Sequence, residues 1–346
     1  MSKSLFILGT GFIGGSVLVG LLKKGEYKIS ALCRDEKKVD KLREMGVRPV
    51  MGELSDDEVI SREAATSDII MHVATADDLP SVKSILKGLS QRSSSRPPAI
   101  YIHTSGTGVL TTPHPEDMIF NDKDQAKFDK EIPDDAPHRN VDLTIKDAVD
   151  NKKVNAKIAI MLPPLIYGIG TGRVFLFFPS SVTFASPALP CLTLLQLDTR
   201  RPFNQISMQI PWWLQESVKN NKVVRYGPKK RWNNINIRNL VPAYLTLLSH
   251  LEQSDTIKTL YHIAETAEHE WGDVGTAMHK VLTDKGLISG GIEDKEEASQ
   301  ELAGVGSQSR AKSELLHQFG WKVGNEKSII ESMSDEIDLM RKLGQL

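Results

Sequence analysis

Apolar and polar positions along the first half of the chain follow two alternating periods. Short apolar runs occur at SLFIL (4–8), YKISALC (27–33), VRPVM (47–51), SDIIMHV (67–73) and PAIYIHT (98–104), each closed by polar or glycine-rich positions. Runs of this length, bounded by turn residues, are expected to be strands buried on both faces. Between them apolar residues recur at helical spacing, first at Val17, Leu18, Leu21 and Leu22. Strand then helix, repeated, predicts a parallel doubly wound sheet with right-handed crossovers. NAKIAIMLPP (155–164) and IKTLYHIAE (257–265) are expected as sixth and seventh strands. The expected division is a core over 1–164 with a strand returning near 257–264, and a smaller lobe over 165–256 and 265–346.

The pattern fails in one place. Val174 to Leu197 carries no charge and is long enough to cross a bilayer, but Pro179, Pro187 and Pro190 would break any helix there. It has neither strand nor helix periodicity, so residues 173–201 are expected to be an irregular insertion. A lid over the substrate and translated non-coding sequence are both open readings. In the lobe, PFNQISMQIPWWLQESVKNNKVVRYG is expected as turn, helix and strand, with Trp212 and Trp213 as packing residues. EDKEEASQE is expected as a solvated helix or loop.

Charge and cysteine usage remove several functions. The 346 residues hold 43 basic and 44 acidic side chains, so no overall field exists to hold a nucleic acid. Cys33 and Cys191 cannot build a disulfide framework, and no zinc-type spacing occurs. The chain runs from its first residues directly into a strand, without an apolar leader. A soluble, cytoplasmic protein acting on a small molecule, with no membrane or nucleic-acid partner and no metal, is the expectation. Oligomeric state is open.

The first strand, loop and helix carry the clearest chemistry. Gly9, Gly11 and Gly14 occupy the three positions of GxGxxG, around Thr10, Phe12 and Ile13. That arrangement allows a tight turn, close backbone approach to a pyrophosphate and tight helix packing, with the helix N-terminus facing phosphate. Arg34 stands twenty residues after Gly14, where an acid would suit the ribose hydroxyl of NAD. A guanidinium suits the 2′-phosphate of NADP, with Lys37 and Lys38 nearby, while Asp35 keeps NAD open. Glu53, Ala74 and Thr75 fall at the C-terminal ends of the third and fourth strands, where such sheets bind ligands, and are candidates for the adenine and ribose sides.

These motifs, with YIHTSGTGVL, MLPPLIYGIGTG and SRAKSELLHQFGWK in that order, resemble the extended short-chain dehydrogenase/reductases, the superfamily of the nucleotide-sugar epimerases and dehydratases. The resemblance implies a Rossmann-type α/β fold with a C-terminal substrate lobe. It places Ser105 at the catalytic serine and Pro163, in the turn after the sixth strand, among the cofactor-binding residues; Asn204, Gln209 and Trp232 are candidate substrate contacts by position. GxGxxG, with Leu8 ahead of it, and Arg238 and Asn239 where the family has paired acids, mark an atypical member.

The main departure is HRNVDLTIKDA (138–148). The family has Tyr followed four residues later by Lys on one helix face; here Asp142 and Lys146 hold those positions. Lys146 is expected to keep the ribose contact. Asp142 beside a lysine is expected to be ionised near pH 7, able to accept a proton but a poor donor. One arrangement that restores an acid has His138 as donor, oriented by Asp142 one turn away. The alternative is an i, i+4, i+8 ladder of ion pairs through His138, Asp142 and Lys146. Two functions stand side by side: an NADP-dependent oxidoreductase or epimerase-type enzyme on a small carbonyl or hydroxyl compound, and a non-catalytic NAD(P) sensor resembling the NmrA-like regulators.

Overall fold

A computed structural model describes residues 2–111, 115, 117–171, 204–255, 258–299, 302 and 304–346. The irregular stretch expected over 173–201, and Cys191 within it, lie outside the described residues. Among those residues no helix is long and apolar enough to cross a membrane.

The strands are β1 (Lys3–Leu8), β2 (Tyr27–Cys33), β3 (Arg48–Met51), β4 (Ile69–His72), β5 (Ala99–Thr104), β6 (Phe120–Asn121), β7 (Ala156–Leu162), β8 (Leu165–Tyr167), β9 (Val223–Tyr226), β10 (Arg231–Asn236), β11 (Tyr261–Ile263), β12 (Ala267–Glu270), β13 (Ile292–Lys295) and β14 (Ala311–Lys312). The helices are α1 (Phe12–Lys24), α2 (Glu36–Glu44), α3 (Asp57–Thr66), α4 (Leu79–Ser90), α5 (Gln125–Glu131), α6 (Arg139–Asp150), α7 (Gln209–Lys219), α8 (Ile237–Gln253), α9 (Trp271–Asp284), α10 (Leu315–Gln318) and α11 (Ile329–Lys342).

Seven strands form one parallel sheet in the order β11-β7-β5-β4-β1-β2-β3. All seven are runs that the apolar pattern predicts. β1 and β4 are neighbours, and the chain leaves them in opposite directions, which opens a crevice at their C-terminal ends. Two apolar layers cover the sheet. One packs α1, α2 and α8 through residues such as Val17, Leu42 and Tyr244. The other packs α3, α4, α5 and α6 through residues such as Ile60, Ile85, Phe128 and Ile145.

A third apolar cluster holds the lobe, with α7, α9 and α11 around the sheet β12-β10-β8 and the parallel pair β9 and β13. Trp213 is fully buried there and donates its indole N–H to the Val224 carbonyl at 2.8 Å. Trp212, expected to pack, is 40% exposed, because the next residue on a helix points about 100° away. The start of the acidic run is also a correction: Glu293 and Asp294 lie in β13 and pair with Lys222 and Arg225 of the neighbouring turn and strand.

Two buried carboxylates tie the parts together. Asp122 follows β6 and accepts backbone N–H groups from Ile263, Glu314 and Leu315. Glu336 of α11 accepts the Gly168 N–H at 2.7 Å, beside the β8 turn where φ is +87°. Its other oxygen is buried without a hydrogen-bond partner among the described residues, and burial pushes its pKa up to about 7. A raised carboxyl pKa gives stability that is fully present below the ordinary value of 4.5 and is lost as pH rises through about 7. Glu336→Gln is expected to flatten part of the fall in unfolding free energy between those pH values, by on the order of 3 kcal/mol. Denaturant melts of both proteins at pH 5 and pH 8 check this; an unchanged pH slope contradicts it.

Candidate functional site

The glycine-rich loop closes on itself by contacts that exclude side chains. A Cβ on Gly9, where φ is +98°, would lie 2.5 Å from the Ala74 Cα, and one on Gly14 would lie 1.9 Å from the Gly9 carbonyl oxygen. Gly11, the N-cap of α1, is different: a Cβ there meets nothing within 4 Å. The backbone is therefore open at the helix N-terminus, where the helix field favours an anion. Thr10 is buried beneath it and Ile13 packs into the core. Phe12 and Ser16 meet the loop after β8: Ser16 Oγ accepts the Thr171 N–H at 3.2 Å, and Gly170 lies against the Phe12 ring. This cradle fits a pyrophosphate.

Arg34 follows β2, is exposed and has no ion-pair partner among the described residues. Asp35 is already engaged, because its carboxylate caps α2 by accepting the Lys37 N–H at 3.0 Å. Lys37 and Lys38 begin the same helix. Glu53 is exposed after β3, and its amide donates to Asp56 at 2.5 Å. Ala74 is exposed after β4, and Thr75 Oγ1 accepts the Asp77 N–H at 3.2 Å. The Pro163 carbonyl accepts the Thr107 N–H at 3.0 Å, which joins the ends of β5 and β7.

Ser105 and Asp142 come together at the end of β5. Alternation along the strand turns Thr104 toward α8, where its hydroxyl meets that of Tyr244 at 2.6 Å, and Ser105 toward α6. Ser105 Oγ donates to Asp142 Oδ2 at 3.1 Å, and both residues are buried. Asp142 has no water-facing surface, and its Oδ1 has no partner among the described residues. Burial pushes its pKa up to about 7; the Ser105 bond and the Arg139 charge offset this only in part, and Asp77 adds to it. Arg139 is itself buried and donates to the Tyr261 hydroxyl at 2.8 Å.

This corrects the expectation of an Asp142 held ionised by Lys146. The Lys146 ammonium pairs with Asp150 and lies 3.5 Å from Asp129. Helical spacing brings Lys146 equally close to residue 142 and residue 150, and only Asp150 is exposed to meet it. The three-residue ladder does not form. His138 has left-handed backbone, φ 65°, and its Nδ1 lies 2.6 Å from Asp77, so Asp77 and not Asp142 orients the ring. Its Nε2 faces the Ser105 side, 2.9 Å from where a Cβ on Gly108 would stand. In the lobe, Asn204 is exposed, Gln209 starts α7, and Trp232 is buried with its indole nitrogen unpartnered among the described residues.

Asp77 was not legible in the sequence, since its partner is 61 residues away. His72 and His103 were missed also. Both are fully buried, with Nδ1 atoms 3.1 Å apart across β4 and β5. The available signal was a histidine in each of two adjacent apolar strand runs.

Comparison with known proteins places this geometry. Residues 1–88 match the NmrA-like family. The Oxidase ucsJ of Acremonium sp is 28% identical over 315 residues, 84% of this chain and 82% of that one. A UDP-glucose 4-epimerase of Thermotoga maritima, solved with UDP-glucose, superposes with a TM-score of 0.66 at 13% identity, covering 98% of this chain and 99% of that one. DesIV of Streptomyces venezuelae, a dTDP-glucose 4,6-dehydratase solved with NAD and TYD bound, gives 0.64 at 12% identity, with 98% and 97% covered. The fold of this chain is that of these epimerase and dehydratase structures, and its first 88 residues carry the NmrA-like match.

Proposed function

We propose that the chain binds NADP(H) and acts as an oxidoreductase or epimerase-type enzyme on a small carbonyl or hydroxyl compound. In this reading Ser105 touches the reacting oxygen and Asp142 exchanges the proton through it. The observation that carries it is the buried 3.1 Å bond from Ser105 to a carboxyl whose pKa is about 7. Relatives support the class of chemistry: one is named an oxidase, and DesIV was solved with NAD bound.

The open backbone at Gly11 would take the pyrophosphate, and Arg34 the 2′-phosphate, since Asp35 is occupied as a helix cap. Ala74, Thr75 and Pro163 would flank the ribose and nicotinamide. The bound nicotinamide supplies or accepts a hydride. In reduction, Ser105 gives its hydroxyl proton to the substrate oxygen and Asp142 gives its own to Ser105 Oγ, ending as carboxylate. In oxidation the same two protons move the other way. A carboxyl that titrates near neutrality suits both directions. His138 Nε2, with its ring held by Asp77, is a second polar group within reach of the substrate.

The sensor reading keeps one observation in its favour: Lys146, which the family resemblance puts on the ribose, is paired with Asp150 and Asp129. Single-turnover NADPH oxidation with a panel of aldehydes and ketones separates the two. Ser105→Ala and Asp142→Asn are expected to slow it by roughly 10²–10⁴-fold while NADPH still binds. The wild-type rate is expected to fall as pH rises through about 7, where Asp142 loses its proton. Tight NADPH binding with no turnover across the panel would make the protein a sensor.

Arg34 decides cofactor choice. Arg34→Ala is expected to weaken NADPH binding by roughly tenfold or more, the loss of a charge-assisted contact, and to leave NADH binding nearly unchanged. Calorimetric titration of both cofactors checks this; equal loss for the two sinks the assignment.

A further inference from the structure

His138 is held in a conformation that its residue type does not favour. Its φ of 65° is left-handed, a region costly for any residue with a Cβ, and it stands at the N-cap of α6 without using its side chain as a cap. Strain of this kind persists where surrounding contacts over-determine it. Two contacts do so here. Nδ1 lies 2.6 Å from Asp77 Oδ1, in the loop between β4 and α4, and the far edge of the ring lies over the chain just after Ser105. Gly108 leaves room for it: its φ is not in the left-handed region, yet a Cβ there would lie 2.9 Å from His138 Nε2. The ring, and not the turn, calls for glycine.

The Asp77 contact decides which ring nitrogen carries the proton. A carboxylate only accepts, so this hydrogen bond requires Nδ1–H, and in the neutral ring Nε2 is then a bare acceptor. Nε2 has no hydrogen-bond partner among the described residues and, unlike Asp142 Oδ1, it is open to water; the side chain keeps 23% of its surface exposed. Gly106 borders it too, where a Cβ would stand 3.6 Å from Nε2, and Gly106 follows Ser105 directly. A reachable acceptor therefore lies beside the residue next to the serine.

Building on the reading of Ser105 as the group that touches the reacting oxygen, we propose that His138 selects the substrate by accepting, through Nε2, a hydroxyl on the carbon next to the reacting one, and that Asp77 is its positioning residue. The substrate class is then an α-hydroxy carbonyl compound, or the vicinal diol that is its reduced form. Ser105 donates to the carbonyl oxygen and Nε2 accepts from the neighbouring hydroxyl, so each protein group meets the polarity it matches. A methyl in place of that hydroxyl would strip water from Nε2 and give it no donor in return. A carboxylate there would set an acceptor against an acceptor, with the Asp77 charge behind it. Compounds with a carboxylate beside the carbonyl are therefore excluded. No proton changes hands at His138 in this role.

The test reads binding and needs no turnover. In the full chain loaded with NADP⁺, which cannot reduce a ketone, hydroxyacetone, butanone and pyruvate would be titrated while the ring ¹⁵N signals of His138, assigned by His138→Gln, are followed. The three probes share an acetyl group and differ only in what it carries. A protonated Nδ1 and a bare Nε2 are expected in the neutral ring, with Nε2 moved by hydroxyacetone at a concentration roughly tenfold or more below that of butanone, and unmoved by pyruvate. Asp77→Ala is expected to mix the two tautomers and remove the preference, and Asp77→Glu, which keeps a carboxylate, to retain part of it. A protonated Nε2 in the neutral wild-type ring, no response to hydroxyacetone, an equal response to butanone, or a response to pyruvate overturns the proposal. If Asp77→Ala does not fold, Gly108→Ala, which pushes the ring from its seat, is expected to lose the preference, and a preference kept there overturns the proposal as well. Hydroxyacetone that moves Nε2 but is never reduced by NADPH would instead fail the enzyme reading alone.

Discussion

A carboxyl group taken out of water with no cation bonded to it keeps its proton, and the chemistry assigned to this chain depends on that constraint at Asp142. The cost of an ionised carboxylate in an apolar layer is met in most proteins by a bonded arginine or lysine. Here the nearby Arg139 is turned to Tyr261 and the nearby Lys146 to Asp150, so the carboxyl is left with a neutral hydroxyl. A phenol in this position would hold a proton by its own high pKa; the carboxylic acid reaches a comparable state through desolvation. The two differ in reach, because the aspartate is shorter and buried. Ser105 has to connect it to anything in the crevice.

The fold gives that pair its place. Parallel strands with both faces covered leave the C-terminal ends of β1, β4 and β5 as the open edge, and the close approach of Gly9 to Ala74 fixes how the first loop meets the fourth strand. The lobe is anchored to the core by the buried Asp122, which accepts backbone N–H groups at β11 and α10, while Glu336 at Gly168 ties α11 to the β8 turn within the lobe. Such anchors are directional, and they hold the lobe through geometry that apolar contact alone does not specify.

The main sheet was legible in the sequence because buried parallel strands are nearly continuous apolar runs, and each of the seven expected runs forms one. The short lobe strands were less so: β13 is a charged four-residue segment, and its pairing with β9 depends on chain 69 residues away. At the site, the family resemblance points Asp142 toward Ser105, and the structure bonds the two at 3.1 Å, whereas the ion pair expected between Asp142 and Lys146 is absent among the described residues. Position in the chain puts Lys146 one turn from it, but burial, which no short spacing reveals, sets its ionisation. The partners Asp77, His72 and His103 reach their sites across strands and loops. Only their side-chain type, not their meeting, is visible in one dimension.

The measurement that tests the central claim most directly is a crystal structure with bound NADP⁺. The account predicts the nicotinamide ring against the end of β5, with its C4 close enough to Ser105 Oγ for one substrate carbonyl to lie between them, and Asp142 still bonded behind the serine. A nicotinamide turned out of the crevice, or held on a side remote from Ser105, would contradict it.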